Sequence, residues 1–440
     1  TLLIYDAVGK QVRWLQYMLE AEGVKDYYFM QGGAKSFYEK VIEAGSYIGE
    51  LHGQKKQKES VGGLMKSLGI LRSHFGQVHV NFGAPIKLTD YLDQHNRQWR
   101  NCELPAGETP PWFKHLVDEL GQEVAESINA AAVANPVNLL SLALLATPKH
   151  TMDLQQLRQQ LNLYTELLRQ APYSDTAALA TSDADTIIEY GLKSEFLEKI
   201  PHRLGDVVTI DEKTALQMAY VRNNSLHLFI LPGLICSLFM NARSIEMPVL
   251  QRMVCLLYPF LRNEYFLHWQ EGEDLPQAVE QIAAVLEQQQ LIRREGDCLH
   301  GADVHTREAD LLAHLGQTVM PSLERYYLTI RLLVQYGSGM LNGEQLGELA
   351  HQTAQRLSLL YEFNSPEFFD KVVLKNFISQ LYSTGLVVKD DQGALTFDDK
   401  LEALDGEARR ILSPDICAAI QRVTRITDLE HLSESPAISA

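Results

Sequence analysis

Val78-His79-Val80-Asn81-Phe82-Gly83-Ala84-Pro85-Ile86 is the stretch on which the reading of the fold depends. Val78, Val80 and Phe82 alternate with His79 and Asn81, the two-residue period of a strand with one buried face. Gly83 and Pro85 then force a turn. Upstream of this stretch helical and strand patterns alternate; downstream the sequence reads almost entirely as helix. The stretch therefore predicts a boundary between an α/β segment and a helical one.

Upstream, Val12, Leu15, Met18 and Leu19 carry helical spacing that ends at Glu22-Gly23. Tyr27-Tyr28-Phe29-Met30 reads as a short strand running into Gly32-Gly33. Val41 to Gly53 reads as helix, followed by the basic cluster Lys55, Lys56 and Lys58, and Val61 to Ser73 as another helix. Residues 1–100 thus form an α/β pattern, short for a complete domain. Residues 101–112, Asn-Cys-Glu-Leu-Pro-Ala-Gly-Glu-Thr-Pro-Pro-Trp, read as a linker. Two helical regions follow, 113–270 and 271–440. In the first, Phe113 to Ala132 and Asn138 to Ala146 read as helices. Thr151 is placed to cap a third, where Leu154, Leu157, Leu161, Tyr164 and Leu168 recur at three- and four-residue steps. Ala171 to Asp185 reads as loop, Val207 to Ile210 as a short strand, and the tail around Pro436 as frayed.

Leu226 to Met240 is the longest apolar run, about 15 residues, and contains His227, Pro232 and Gly233. It is too short and interrupted to span a bilayer alone and predicts a buried helix. A weak repeat lies further on, offset by 95 residues between its copies. Leu286 to Asp297 and Leu381 to Leu395 each read as a helix end, a short strand, a Gly/Asp turn and a second strand. Helix followed by hairpin is the outline of a winged helix. With Glu295, Asp297, Asp390, Asp391, Asp398 and Asp399 beside the hairpins, phosphate contact there would be repulsive, which argues against nucleic acid as a partner.

At 440 residues and 46% apolar composition, the chain has material for two or three cores. Its net charge is −17, yet residues 1–100 hold 13 basic and 10 acidic side chains, so the remainder carries −20. An anionic ligand or lipid surface therefore fits the first hundred residues better than the rest. Cys102, Cys236, Cys255, Cys298 and Cys417 show neither a disulfide framework nor zinc spacing, in keeping with a reducing compartment and no metal. No signal-peptide pattern follows Thr1.

From Phe37 onward the chain resembles the C-terminal region of the bacterial membrane-bound glycerol-3-phosphate acyltransferase family. The resemblance rests on Tyr38-Glu39-Lys40-Val41-Ile42-Glu43-Ala44-Gly45-Ser46-Tyr47, Lys58-Glu59-Ser60 and the Val80-to-Pro85 stretch. It continues in Asn135-Pro136-Val137-Asn138-Leu139, Tyr220-Val221-Arg222-Asn223-Asn224, His227, Leu231-Pro232 and Ser365-Pro366-Glu367-Phe368-Phe369-Asp370-Lys371. It implies a fold class of α/β plus α-rich: a short acyltransferase-type α/β remnant, then a large helical region with winged-helix-like units. It also implies transfer of a fatty acyl group from acyl-CoA or acyl carrier protein to the 1-hydroxyl of glycerol 3-phosphate, the first step of phospholipid synthesis. No further cofactor is implied, and the place would be peripheral, on the cytoplasmic face of the bacterial inner membrane.

In that family a His and an Asp separated by four residues act as general base and orienting carboxylate. No such pair occurs here before residue 90, so no catalytic residue is assigned and the chain alone is expected to lack activity. His305 and Asp310 have the spacing, but they lie in an acidic segment to which the resemblance gives no role. Phe29-Met30-Gln31-Gly32-Gly33 faintly matches a family phosphate motif, or is chance similarity in a strand–turn. Candidate substrate-binding residues are Tyr38, Lys55, Lys56, Lys58 and Asn81. Tyr38 follows the last catalytic-domain motif, and the lysines suit an anionic thioester or headgroup; a packing tyrosine and a solvated lysine run are the bland readings. Arg222 and His227 could anchor the apolar run at an anionic membrane surface, or be satisfied by neighbouring helices. The reading from another class is a scaffold built on winged-helix-like units, without chemistry.

Overall fold

The computed structural model describes residues 2–4, 27–29, 79–95, 99–101, 110–361 and 366–426. Leu2–Ile4 and Tyr27–Phe29 pair in parallel, and the second coincides with the short strand read from the sequence. The opening stretch behaves differently from its pattern. Residues 79–87 join no β-ladder among the described residues, and Val80 and Phe82 are exposed, Phe82 at 59%. Alternation supplies a face, but a strand also needs a neighbour to hydrogen-bond. Here Asn81 fixes the segment instead: its Nδ2 donates to the Thr176 carbonyl while its Oδ1 accepts from Phe82 N at 3.0 Å.

The helices follow in chain order: α1 (Leu88–His95), α2 (Phe113–Ala130), α3 (Pro136–Leu145), α4 (Leu154–Gln170) and α5 (Ala184–Lys193). Next come α6 (Glu212–Asn223), α7 (His227–Phe239), α8 (Met247–Tyr265), α9 (Asp274–Gln288) and α10 (Arg307–Gln317). The chain continues through α11 (Met320–Tyr336), α12 (Gly343–Leu360), α13 (Lys371–Ser383), α14 (Asp399–Ile411) and α15 (Pro414–Ile426). Most starts are written locally. Asn135 and Asn138 form a reciprocal capping box around Pro136 at the start of α3, with bonds of 3.1 and 3.2 Å. Asp153 caps α4 by accepting from Gln155 N and Gln156 N. Thr151, the expected cap, sits two residues too early, in a strand paired with Val207–Thr209, where its hydroxyl meets that of Thr209 at 2.8 Å. Within the stretch read as loop, Ala178–Leu179 pairs in parallel with Val133–Ala134, and Asp183 caps α5.

α7 organises the interior. Every residue from His227 to Phe239 is buried, and the helix carries no Asp, Glu, Lys or Arg. A helix apolar on all sides is covered on all sides. Its closest neighbour is α10, where Gly233 and Gly316 permit contact between backbones. A Cβ on Gly316 would lie 3.1 Å from Ser237 Cα, and one on Gly233 would lie 3.1 Å from the Leu315 carbonyl. One cluster of buried side chains runs from Ala134 to Val423, spanning both sides of residue 270. Among the described residues no helix is long and apolar enough to cross a membrane.

Helix followed by antiparallel hairpin occurs three times among the described residues; after α5, Glu198–Ile200 pairs with Val207–Thr209, and Thr151–Asp153 adds a third strand. After α9, Ile292–Glu295 pairs with Cys298–Gly301, and Ser244–Glu246 adds a third strand. After α13, Val388–Lys389 pairs with Leu395–Thr396 alone, supported by a bridge from Ala394 to Asn342.

Candidate functional site

The ends of α2, α6 and α8 meet the starts of α7, α11 and α13 around one cavity of about 280 Å³. Asn129, near the end of α2, ties three of them. Its amide donates to the carbonyls of Tyr265 (2.7 Å) and Phe266 (3.2 Å), while its own carbonyl accepts from His227 Nε2 at 3.1 Å. From the opposite side, Asn138 donates to the Val221 carbonyl at 2.9 Å and steadies the last turn of α6. That turn presents Arg222 and Asn223; Arg222 donates through Nε and Nη2 to Asn223 Oδ1 at 3.2 and 3.1 Å. Asp370 caps α13 through Val372 N and Val373 N, and Val373 reaches the cavity wall.

The floor is a buried ionic seam between α8 and α11. Glu264 Oε1 accepts from Arg325 Nη2 (2.5 Å) and Ser322 Oγ (2.8 Å), and Oε2 accepts from Tyr326 OH (2.6 Å). Arg325 also donates to Ser322 Oγ at 2.9 Å. Because the single Ser322 proton goes to Glu264, Tyr265 OH is the donor in its 2.6 Å contact with Ser322. Burial, then the nearby Glu264 carboxylate, raises the pKa of both Tyr265 and Tyr326, so both hydroxyls stay protonated as donors. Arg325 is 4% exposed. Such a pair is compensated chiefly by its added hydrogen bonds, since desolvation of two ions offsets most of their attraction.

His227 is 3% exposed, and burial pushes its pKa down to about 4 against the partly opposing bond to Asn129. It is therefore neutral near pH 7. Its proton sits on Nε2, because a carbonyl oxygen can only accept. Its ring meets Tyr173 edge-on at 5.1 Å, and Tyr173 meets His268 at 4.5 Å. The structure thus places His227, buried, at the wall of this cavity as a neutral linker between α2 and α7. Arg222 is half-buried at the same cavity. Asn81 lies apart from it, on the Thr176 loop. Tyr38, Lys55, Lys56 and Lys58 lie outside the described residues. His305 and Asp310 are both exposed and share no hydrogen bond.

Glu264, Tyr265, Ser322 and Arg325 were not read from the sequence. A signal was present: Arg325 interrupts the otherwise apolar series Leu323, Tyr326, Leu328 and Ile330, and lies three residues from Ser322, one helical turn. Within the cavity no hydroxyl is hydrogen-bonded to a histidine; Thr318 donates to the Leu315 carbonyl and His227 to Asn129. Among the described residues no group of three His, Cys, Asp or Glu side chains could hold a metal.

Residues 47–390 match the glycerol-3-phosphate acyltransferase C-terminal region, and the chain belongs to that family. It is 40% identical over 387 residues to a glycerol-3-phosphate acyltransferase of Pseudomonas entomophila (strain L48), covering 88% of this chain and 47% of that one. It is 39% identical over 401 residues to that of Ectopseudomonas mendocina (strain ymp), covering 91% and 48%. The chain thus spans about half the length of these relatives. Of the stretches that carried the resemblance, Asn135–Leu139 and Tyr220–Asn224 are joined through Asn138, while Arg222, His227 and the start of α13 meet at the cavity.

Proposed function

We propose that this chain is part of a glycerol-3-phosphate 1-O-acyltransferase and forms mainly its C-terminal supporting region. The reaction moves an acyl group from acyl-CoA or acyl carrier protein to the 1-hydroxyl of glycerol 3-phosphate, with no cofactor beyond the thioester. The observation that carries this reading is the family match over residues 47–390, with relatives named for the activity at 39% and 40% identity. The helical body holds and orients an acyltransferase domain, and the helix–hairpin units after α9 and α13 are winged-helix-like packing modules that do not bind nucleic acid. The protein sits peripherally on the cytoplasmic face of the bacterial inner membrane and meets anionic lipid. Turnover is not expected from this chain by itself, because no His–Asp pair with the family spacing precedes residue 90.

Acyl transfer to labelled glycerol 3-phosphate, assayed with the chain in phospholipid vesicles, tests the claim. The expected result is no turnover above background. Robust turnover would overturn the inactivity claim and direct attention to His52, His74 and His79. Sedimentation with anionic vesicles, and release at high salt, tests the peripheral placement; partition into the soluble fraction at low salt would refute it.

A further inference from the structure

The acyltransferase reading gives the cavity between α6 and the α8–α11 seam no occupant. We propose that it binds a small oxyanion of the phosphomonoester type. At about 280 Å³ it has room for roughly nine waters at about 30 Å³ each, or one compact molecule in their place. Its charged lining is two guanidiniums, Arg222 and Arg325, against one carboxylate, Glu264. With His227 neutral, the wall carries +1 in a chain of net charge −17. A locally positive cavity in an acidic protein repels cations and concentrates anions.

The one carboxylate is already committed. Both oxygens of Glu264 accept hydrogen bonds from Arg325, Ser322 and Tyr326, so it offers little to a cation or to a ligand hydroxyl. Those same bonds hold the Arg325 fork in one orientation at 4% exposure, where a charge-assisted contact is little screened. Asn223 adds an amide beside Arg222. Neither guanidinium needs to lack a partner: each has five N–H donors, and an anion adds to the contacts present. Two guanidiniums lining one cavity, with an amide beside one of them, match an oxyanion having several acceptor oxygens better than a neutral polyol.

Calorimetry and thermal unfolding of the full chain with inorganic phosphate, glycerol 3-phosphate, glycerol and chloride, at matched ionic strength, test the proposal. Phosphate and glycerol 3-phosphate should bind saturably below about 10 mM and raise the midpoint, whereas glycerol and chloride should not. Arg222→Gln, and separately Asn223→Asp, which sets a second carboxylate on the wall, should each weaken phosphate binding at least about tenfold. Both should leave the unliganded midpoint nearly unchanged. Arg325→Lys keeps the charge beside Glu264 but loses the fork, and should weaken binding by a similar factor. An equal response to chloride, or unchanged phosphate binding in Arg222→Gln and Asn223→Asp, would overturn the site. Binding is read without turnover, so this failure is separate from any failure of the acyltransferase assignment.

Discussion

Two buried regions meet at the cavity and hold the protein together by opposite means. Around α7 the interior is largely apolar: thirteen consecutive buried residues without an Asp, Glu, Lys or Arg, closed against α10 at Gly233 and Gly316. Between α8 and α11 it is ionic, with Glu264, Arg325, Ser322, Tyr265 and Tyr326 in one continuous hydrogen-bonded chain. The apolar region tolerates partial loss, because each methylene contributes separately. The ionic seam does not, because removing one partner leaves the other's charge desolvated and uncompensated. The difference teaches where this fold is brittle.

The sharpest way to break the contrast is Glu264→Ala, which strands Arg325 and should cost about 4 kcal/mol in urea unfolding. The double change Glu264→Met with Arg325→Met should recover a large part of that loss. A double variant as unstable as the single would show that the seam is not limited by desolvation. On the apolar side, Leu234→Ala, at a fully buried position, should cost about 3 kcal/mol, with the unfolding transition still cooperative.

Stability against pH separates the regions next. Burial pushes His227 and His314 down to about 4, so the unfolded chain takes up their protons first, and stability falls as pH drops from about 6.5 towards 4. Burial of the Glu324 carboxyl raises it to about 8, with Arg325 partly opposing, so its contribution is full at low pH and fades as pH rises from about 4.5 to 8. Between about pH 4.5 and 6.5 two histidines oppose one carboxyl, for a net rise of roughly 1.4 kcal/mol per pH unit. His150 and His268, also lowered by burial, act in the same direction as the other histidines. Above about pH 6.5 the slope should turn negative, and Glu324→Gln should flatten it. A wild-type curve still rising at pH 8 would refute the Glu324 assignment. The smallest effect expected is from Gly316→Ala, about 2 kcal/mol, because the added methyl meets Ser237 backbone on α7. A neutral result would mean that α7 and α10 separate more easily than their spacing indicates.

Much of the helical body was legible. α2 and α3 lie where helices were read, α4 follows its apolar spacing, and the run from Leu226 to Met240 is the buried helix its composition demanded. The misreadings have one cause. Thr151 has the chemistry of a cap but is drawn into a ladder with Thr209, and Ala178–Leu179 looks like loop until Val133–Ala134 lies beside it. Residues 79–87 failed the other way: their alternation is that of a strand, yet they join no ladder among the described residues. At the cavity, Arg222 and His227 were named from sequence, either as membrane-surface anchors or as side chains satisfied by neighbouring helices, and His227 bonds to Asn129 of a neighbouring helix. The glutamate–arginine pair beside them was missed, since Glu264 and Arg325 stand 61 positions apart and no periodicity couples them.

The sequence by itself determined the family, the helices with their caps, and the absence of the expected His–Asp pair before residue 90, because each is written in residue identity and short-range spacing. Only the tertiary structure decided that His227 is an interior donor to Asn129, that Glu264 and Arg325 form one seam, and that distant stretches meet at one cavity. Those outcomes depend on which helix ends are packed together and sealed from water, and burial is what turns an ordinary charged or titratable side chain into a site.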